Sequence, residues 1–410
     1  MNNKIKPCVI GLGYVGLPLF LRLQAKFFSV GFDNDKKRIK NLNKKIDTNK
    51  EFEKQNLITK NKSFFSSDSR VLKNSNFFIV TVPTPVTKKN KPDISHLKNA
   101  SILIAKSLKK GDIIIFESTV YPSTTNFLIK NYLNKFSNLV EGIHYFVGYS
   151  PERVNPGDSK HSISKIKKIL AIPGSLRTKN KVKSVYRHVS KKLILTNSIE
   201  SAETAKVIEN IQRDLNIAFI NEILLFTDKM NYNFDEILRL ASSKWNFMKF
   251  KPGLVGGHCL PVDPHYLNYI ASLNKMKLKT LLAGREVNNS MQKFVSKKIE
   301  EKIISIQQKK IDPKVLICGL TYKKDVSDVR NSLSLKIFIN LRKKYKKIIG
   351  YDYVCEDKIS LKFKIRRNIE RIKDSFDLVI FLVDHKKNRS LYNYFKKQNK
   401  TIVDPFKLYK

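Results

Sequence analysis

The run VIGLGYVGLPL, from Val9 to Leu19, constrains the fold more than any other part of the 410-residue chain. A short apolar strand breaks into a turn with glycines at 11, 13 and 16 and then into a helix, the geometry that seats a pyrophosphate on a helix N-terminus. Gly11 permits the tight turn, Gly13 lets phosphates approach bare backbone, and Gly16 lets the helix pack against its strand. A glycine triplet alone is a weak signal. Here a second strand, VGFD, ends at Asp33, close to the spacing of about 20 residues at which a carboxylate reaches a ribose 2′-hydroxyl. That favours NAD over NADP. Lys4 and Lys6 ahead of an apolar stretch resemble a secretory leader, but three glycines interrupt the stretch and no small-x-small cleavage site follows.

A chain of this length exceeds what one hydrophobic core serves, so two or three domains are expected. No run approaches the roughly 18 uninterrupted apolar residues of a membrane span, and the expected compartment is the cytoplasm. Cys8, Cys259, Cys318 and Cys355 are widely separated, which suggests neither a disulfide framework nor a metal cluster. Lys and Arg number 79 against 35 Asp and Glu, a formal net charge of +44. Such a charge invites a nucleic-acid reading. The lysines are spread over the whole chain among many asparagines and isoleucines, however, which fits a compositional bias and a doubly negative nucleotide substrate better than a specific nucleic-acid site.

From Ile5 to about Thr196, strand-like segments (CVIGL, FFSVGFD, FFIVTVP, DIIIFEST, HYFVGYSPE, KLILT) alternate with lysine-rich amphipathic stretches, predicting a parallel α/β domain. The run ESAETAKVIENIQRDLNIAFINEILLFTDKMNY then predicts one long helix of about 40 Å, able to join two domains and supply a dimer interface. After further helix through about Ile306, a second strand set (KVLICGL, KIIGYD, DLVIFLVDH, TIVDPF) follows Pro313, only loosely similar to the first. The expected architecture is α/β: two Rossmann-like parallel-sheet domains, residues 1–196 and 307–410, joined by a long central helix in an all-α middle domain, residues 197–306.

The loop KPGLVGGHCLPVDPHYL presents Cys259 after Gly256 and Gly257 and just before a proline, with Asp263 four residues later. Glycines beside a thiol allow the backbone to turn, and partial exposure near cations lowers a thiol pKa toward neutrality. Lys206 and Asn210 stand at i and i+4 on the long helix, with Arg213 on nearly the same stripe. From the helix alone, a functional face and a solvated flank are equally open.

These residues carry a resemblance over essentially the whole chain. GLGYVGLPL, VPTP, ESTVYP, GYSPERVNPGD, AETAKVIEN, GGHCLPVDP, GREVN and GLTYKKDVSDVRNS occur in the order and spacing of the nucleotide-sugar 6-dehydrogenases, the UDP-glucose/GDP-mannose dehydrogenase superfamily. GYSPERVNPGD, ENIQRD and KWNFMKFKPGLVGGHC resemble its UDP-N-acetylhexosamine branch, especially the Vi-antigen type UDP-N-acetylglucosamine or UDP-N-acetylgalactosamine 6-dehydrogenases.

The resemblance implies oxidation of a hexosamine C6 from alcohol to carboxylate with two NAD and one water, for surface polysaccharide. In it the Cys259 thiolate attacks the first-formed aldehyde, and the thiohemiacetal loses a second hydride to become a thioester that water hydrolyses. Lys206 and Asn210 would steady the oxyanion. Asp263 would act as general base, assisted by Glu152 and Thr119 near the nicotinamide. The cofactor residues would be Gly11, Gly13, Tyr14, Val15, Gly16, Asp33 and Arg38, with Thr84 and Thr119 at the nicotinamide end and Arg330 reaching the pyrophosphate. Glu152, Lys206, Asn210, Arg213, Gly256, Gly257 and Lys324 would hold the UDP-sugar, which would meet the cofactor in a cleft between the domains. No metal is implied. The resemblance and the central helix together imply a homodimer, with no specific nucleic acid and no membrane as partner.

Two positions depart from the pattern. Pro156 stands where UDP-glucose enzymes often carry a second glutamate, and His265 where a tyrosine is more usual, a packing or hydrogen-bonding position rather than a catalytic one. The same chemistry on UDP-N-acetylmannosamine or UDP-glucose is the alternative reading, since an epimer is read by a few contacts that leave the motifs unchanged. A basic polyanion-binding protein without catalysis is the remote one.

Overall fold

The computed structural model describes residues 4–49, 51–87, 91–153, 163–257, 259–370, 372 and 375–409. Pro156 and His258 lie outside these. The chain divides into two compact units, Met1–Glu209 with His265–Met276, and Asn210–Pro264 with Lys277–Lys410.

The first unit holds an eight-stranded sheet of β1 (Pro7–Ile10), β2 (Val30–Phe32), β3 (Phe64–Ser66), β4 (Phe77–Val80), β5 (Ile113–Phe116), β6 (Phe146–Tyr149), β7 (Lys167–Ala171) and β8 (Lys192–Thr196). Their order is β3-β2-β1-β4-β5-β6-β7-β8. Strands β1, β4 and β5 are buried along their whole length, which is why they read as continuous apolar runs rather than alternating ones. Successive residues feed opposite faces: Val9, Ile79 and Ile115 enter one core, and Ile10, Phe78 and Ile114 the other. Each such side chain stabilises by about 1.5–3 kcal/mol. The sheet is parallel as expected, with one exception: β6 and β7 run antiparallel through Tyr149 and Ala171. The segment joining them includes residues outside those described.

The second unit holds a sheet of β9 (Val315–Cys318), β10 (Ile348–Tyr351), β11 (Ile365–Arg366), β12 (Leu378–Phe381) and β13 (Thr401–Val403), parallel in the order β11-β10-β9-β12-β13. That is the order of β3-β2-β1-β4-β5, and the turn device repeats as well. Gly319, at φ 85°, follows β9 as Gly11, at φ 93°, follows β1. Asp352 accepts the Leu320 and Thr321 amides at 2.7 and 2.9 Å as Asp33 accepts that of Leu12 at 2.7 Å. The two strand sets differ in sequence yet share this local solution.

The long helix spans Ile199–Lys229, 31 residues without proline or glycine and so about 46 Å long. It begins in one unit and ends in the other, the division falling between Glu209 and Asn210. A second long helix covers Lys279–Gln307. Its Gly284 packs closely: a Cβ there would lie 2.5 Å from a Leu215 methyl, which would have to shift. Among the described residues, no helix is long and apolar enough to cross a membrane.

Candidate active site

The dinucleotide turn shows why each glycine is where it is. A Cβ on Gly16 would sit 1.8 Å from the Gly11 carbonyl oxygen and 2.4 Å from Thr81 Oγ1, so helix and strand approach too closely for any side chain. Gly13 is exposed, and a Cβ there would meet nothing within 4 Å. No side chain caps the helix Gly16–Leu23 at Val15; within its first turn the Leu17 amide donates to Gly13 O at 3.2 Å and Pro18 has no N–H. Tyr14 and Val15 are half-buried beside this opening. Asp33 is half-buried, with one oxygen on the Leu12 amide and the other accepting from Asp35 N at 3.0 Å. Arg38 is buried: its Nε donates to Leu12 O at 2.9 Å and its Nη1 to Asp47 at 2.7 Å and Thr48 at 2.8 Å. It therefore braces the turn from within. Open space above Gly13, a helix start without a side-chain cap and a ribose-spaced carboxylate fit a bound dinucleotide.

Further along this unit, Thr84 Oγ1 donates to Thr119 O at 2.5 Å, and the Tyr266 hydroxyl donates to Thr84 O. Tyr121 meets Tyr269 edge to face at 5.2 Å. The helix that follows Asp263 thus ties the VPTP and ESTVYP loops together. Glu203, on the long helix, is buried and accepts from Ser123 N, Thr125 N and Thr125 Oγ1 at 2.6, 2.9 and 2.6 Å. Burial pushes its carboxyl up to about 7 despite those bonds.

Glu152 belongs to a buried group that sequence reasoning missed. The Lys168 ammonium lies 2.6 Å from Glu117 Oε2 and 3.2 Å from Glu152 Oε2. The Tyr186 hydroxyl donates to Glu117 Oε1 at 2.5 Å, and Arg153 N donates to Glu152 Oε1 at 2.7 Å. Lys168 is 1 % exposed, and although burial disfavours its charge, the two carboxylates outweigh that and hold the ammonium above its ordinary range. The signal for Glu117 was an acidic residue closing the apolar strand IIIFE. Nothing in the sequence singles out Lys168.

In the second unit, Asn210 Nδ2 donates to Asp263 Oδ2 at 2.6 Å, both side chains being buried. The Cys259 carbonyl accepts the amides of Val262 and Asp263, each at 2.9 Å, so the cysteine sits on the turn that starts the helix Asp263–Leu273. Cys259 is half-buried, whereas Cys8, Cys318 and Cys355 are buried and burial pushes their thiols up, Cys8 to about 12 and Cys355 to about 11. Only the first of these four environments suits a nucleophile.

The loop before Cys259 is held by a polar ladder. Asn221 exchanges two hydrogen bonds with the Gly253 backbone, at 2.9 and 3.0 Å, and donates to Asn288 at 2.8 Å. Asn288 and Arg285 converge on Asp214 at 2.8 and 2.6 Å, which gives the GREVN segment a structural task the motif alone did not reveal. A Cβ on Gly256 would lie 2.9 Å from Asn331 O, and one on Gly257 2.7 Å from the Tyr322 ring. The Gly257 amide is already donated to Arg330 O at 3.2 Å, so these glycines serve close packing as well as any phosphate.

The remaining predicted residues divide by unit. Lys206 is buried in the first, one helical turn from Asn210 in the second. Arg213 is exposed. Lys324 pairs with Asp384 at 2.8 Å and Arg330 with Asp328 at 2.6 Å, both cations being about half exposed.

This geometry can be set beside known proteins. Residues 5–190 match the NAD binding domain of the UDP-glucose/GDP-mannose dehydrogenase family, residues 200–290 its central domain and residues 316–410 its UDP binding domain. The chain is 37% identical over 391 residues to a UDP-N-acetyl-D-glucosamine 6-dehydrogenase of Salmonella typhi, covering 95% of this chain and 92% of that one. A UDP-N-acetyl-D-mannosamine dehydrogenase of Campylobacter jejuni is 32% identical over 402 residues, 94% of this chain and 97% of that one. The solved UDP-D-ManNAc dehydrogenase of Pyrococcus horikoshii superposes with a TM-score of 0.87 at 28% identity, covering 99% of this chain and 96% of that chain. The turn built around Gly11, Gly13 and Gly16 falls within the matched NAD binding domain, and NAD is the cofactor it accommodates. With all three domains matched in order, the chain belongs to the UDP-glucose/GDP-mannose dehydrogenase family and is an NAD-dependent oxidoreductase.

Proposed function

We propose that this enzyme oxidises C6 of a UDP-N-acetylhexosamine to the carboxylate, with UDP-N-acetylglucosamine the first candidate and UDP-N-acetylgalactosamine the second. The observation that carries the reading is the half-buried Cys259 on the turn whose carbonyl binds the Asp263 amide, with Asp263 itself held by Asn210. Support for the sugar comes from relatives at 37 and 43% identity named UDP-N-acetyl-D-glucosamine 6-dehydrogenase, against 30 to 32% for those named for UDP-N-acetyl-D-mannosamine.

NAD, when bound, supplies the hydride acceptor for both oxidations. Gly11, Gly13, Gly16, Tyr14, Val15 and Asp33 hold it, Arg38 braces them, and Thr84 and Thr119 lie toward its nicotinamide end, with Arg330 reaching for the pyrophosphate. The Cys259 thiolate adds to the aldehyde carbon and retains the sugar through the second oxidation, so no free aldehyde escapes. A serine would serve poorly, because its alkoxide is far less available near neutral pH. Lys206 and Asn210, one turn apart, stabilise the oxyanion, and each such donor contributes about 3–4 kcal/mol in comparable sites. Asp263 takes the proton from the attacking water; Glu152 and Thr119 assist at the alcohol. Gly256, Gly257, Arg213 and Lys324 are assigned to the UDP-sugar.

In this reading residues 1–196, 197–306 and 307–410 form cofactor, central and UDP domains, and the protein works in the cytoplasm ahead of surface polysaccharide assembly. A second copy covers the long helix, where Ile208, Phe219, Phe226 and Met230 form an exposed apolar stripe. The test is NADH formed per sugar consumed with UDP-N-acetylglucosamine, UDP-N-acetylgalactosamine, UDP-N-acetylmannosamine and UDP-glucose in parallel. Two NADH per sugar with an N-acetylhexosamine preferred supports the proposal. One per sugar, or preference for UDP-glucose, overturns it.

A further inference from the structure

The group formed by Glu117, Lys168, Tyr186 and Glu152 has one cation for two carboxylates, all nine-tenths or more buried. A buried carboxylate is costly to leave without a cation, so both acids depend on the single ammonium. The geometry is unequal. Lys168 is 0.6 Å nearer to Glu117 (3.2 − 2.6 Å), and Glu117 also receives the Tyr186 hydroxyl. Burial pushes the Glu117 carboxyl up, and these two donors, one on each oxygen, pull it back toward ionisation. Glu152 accepts from Arg153 N at 2.7 Å and meets the ammonium on its more distant side. The Arg153 guanidinium is itself engaged by Glu209 at 2.7 Å.

We infer that Lys168 is a positioning residue for Glu152: its ammonium, anchored on Glu117 at 2.6 Å, holds the Glu152 carboxylate at 3.2 Å, while Glu117 competes for the same charge. The inference rests on the proposed function, in which Glu152 assists at the reacting alcohol. It assigns opposite effects to two residues that sit behind Glu152 rather than on the substrate. Removing the cation takes away the charge that holds the Glu152 carboxylate. Removing the competing anion leaves that charge to Glu152 alone.

The test is the pH profile of kcat for the wild type, Lys168→Met and Glu117→Gln. A charge partner this close displaces a titration by about one to three pH units. The acid limb is expected to move up by about one pH unit or more in Lys168→Met and to move down in Glu117→Gln, with KM for both substrates within about threefold of wild type. The double variant Glu117→Gln/Lys168→Met removes one charge of each sign and serves where the single Lys168 variant does not fold; its limb also lies above wild type, and Lys168→Arg restores the wild-type profile. Limbs that move together, or stay fixed while activity falls, overturn the inference and leave the group a purely structural one. If the wild type turns over no nucleotide sugar, the proposed function fails by itself. Difference infrared titration of the carboxyl band that Glu152→Gln removes then decides this inference by the same two opposite displacements.

Discussion

Gly13 and Gly16 lie three residues apart in one turn, yet the structure assigns them separable tasks, and alanine at each position should separate folding from cofactor binding. A Cβ on Gly16 would lie 1.8 Å from Gly11 O, where even 3.0 Å is tighter than real Cβ contacts allow, so strand and helix must part by at least about 1.2 Å (3.0 − 1.8 Å). The obstacle is backbone and cannot rotate away. Overpacking of this kind costs about 1–3 kcal/mol. The displacement also strains the 2.7 Å bond from Thr81 Oγ1 to Gly11 O, worth about 1 kcal/mol. For a unit of this size, about 2–4 kcal/mol lowers Tm by roughly 4–16 °C. Gly13→Ala adds a methyl to open space at a residue without positive φ, so its stability should stay within about 0.5 kcal/mol of wild type. On the proposed cofactor contact, that methyl occupies the approach of the pyrophosphate. Loss of one charge-assisted bond of about 1.5–3 kcal/mol weakens NAD binding by about 10- to 150-fold. The assay is differential scanning fluorimetry beside calorimetric NAD titration. Wild-type NAD affinity in Gly13→Ala, or equal loss of Tm in the two variants, refutes the assignment.

Other perturbations test other parts of the account. On the proposed roles, Asn210→Ala removes both an oxyanion donor and a hydrogen-bond partner of Asp263, so kcat should fall about 10²–10³-fold with NAD affinity unchanged; a loss under tenfold contradicts the role. Glu203 binds its proton up to about 7 in the folded state but only to about 4.5 when unfolded. Stability from this group is therefore greatest below about pH 4.5 and declines as pH rises through about 7, by up to about 3 kcal/mol. Glu203→Gln should flatten that decline, seen as a smaller difference between Tm at about pH 5 and about pH 8 than in wild type, and an unchanged slope refutes the argument. Phe219→Glu places a charge in the exposed stripe proposed as the dimer seam, and light scattering should show a dimer for the wild type and a monomer for the variant. A dimer unaffected by that change places the interface elsewhere.

What was legible in the sequence follows from where the physics is local. The turn at Gly11–Gly16, the strand alternation and the long helix are set by neighbouring residues, and periodicity or glycine spacing reveals them. The return of His265–Met276 to the first unit was not legible, because it depends on pairings such as Tyr266 with Thr84, 182 positions apart. Lys168 was hidden for a different reason. It is one of 79 basic residues, and only burial between Glu117 and Glu152 distinguishes it from a solvated neighbour such as Lys167. The same holds for Arg38, whose guanidinium faces Asp47 rather than solvent. Gly256 and Gly257 were legible as a flexible approach to the thiol, but their tight contacts with Tyr322 and Asn331 required the fold.

The central claim is that one thiol carries the sugar between two oxidations. Acid-quenched turnover followed by peptide mass spectrometry addresses it without relying on rates. The account predicts a hydroxylamine-sensitive uronyl thioester on the peptide containing Cys259, none on those containing Cys8, Cys318 or Cys355, and its absence in Cys259→Ala, which should still bind NAD. Full turnover with no adduct on Cys259, or two NADH per sugar from Cys259→Ala, would contradict it.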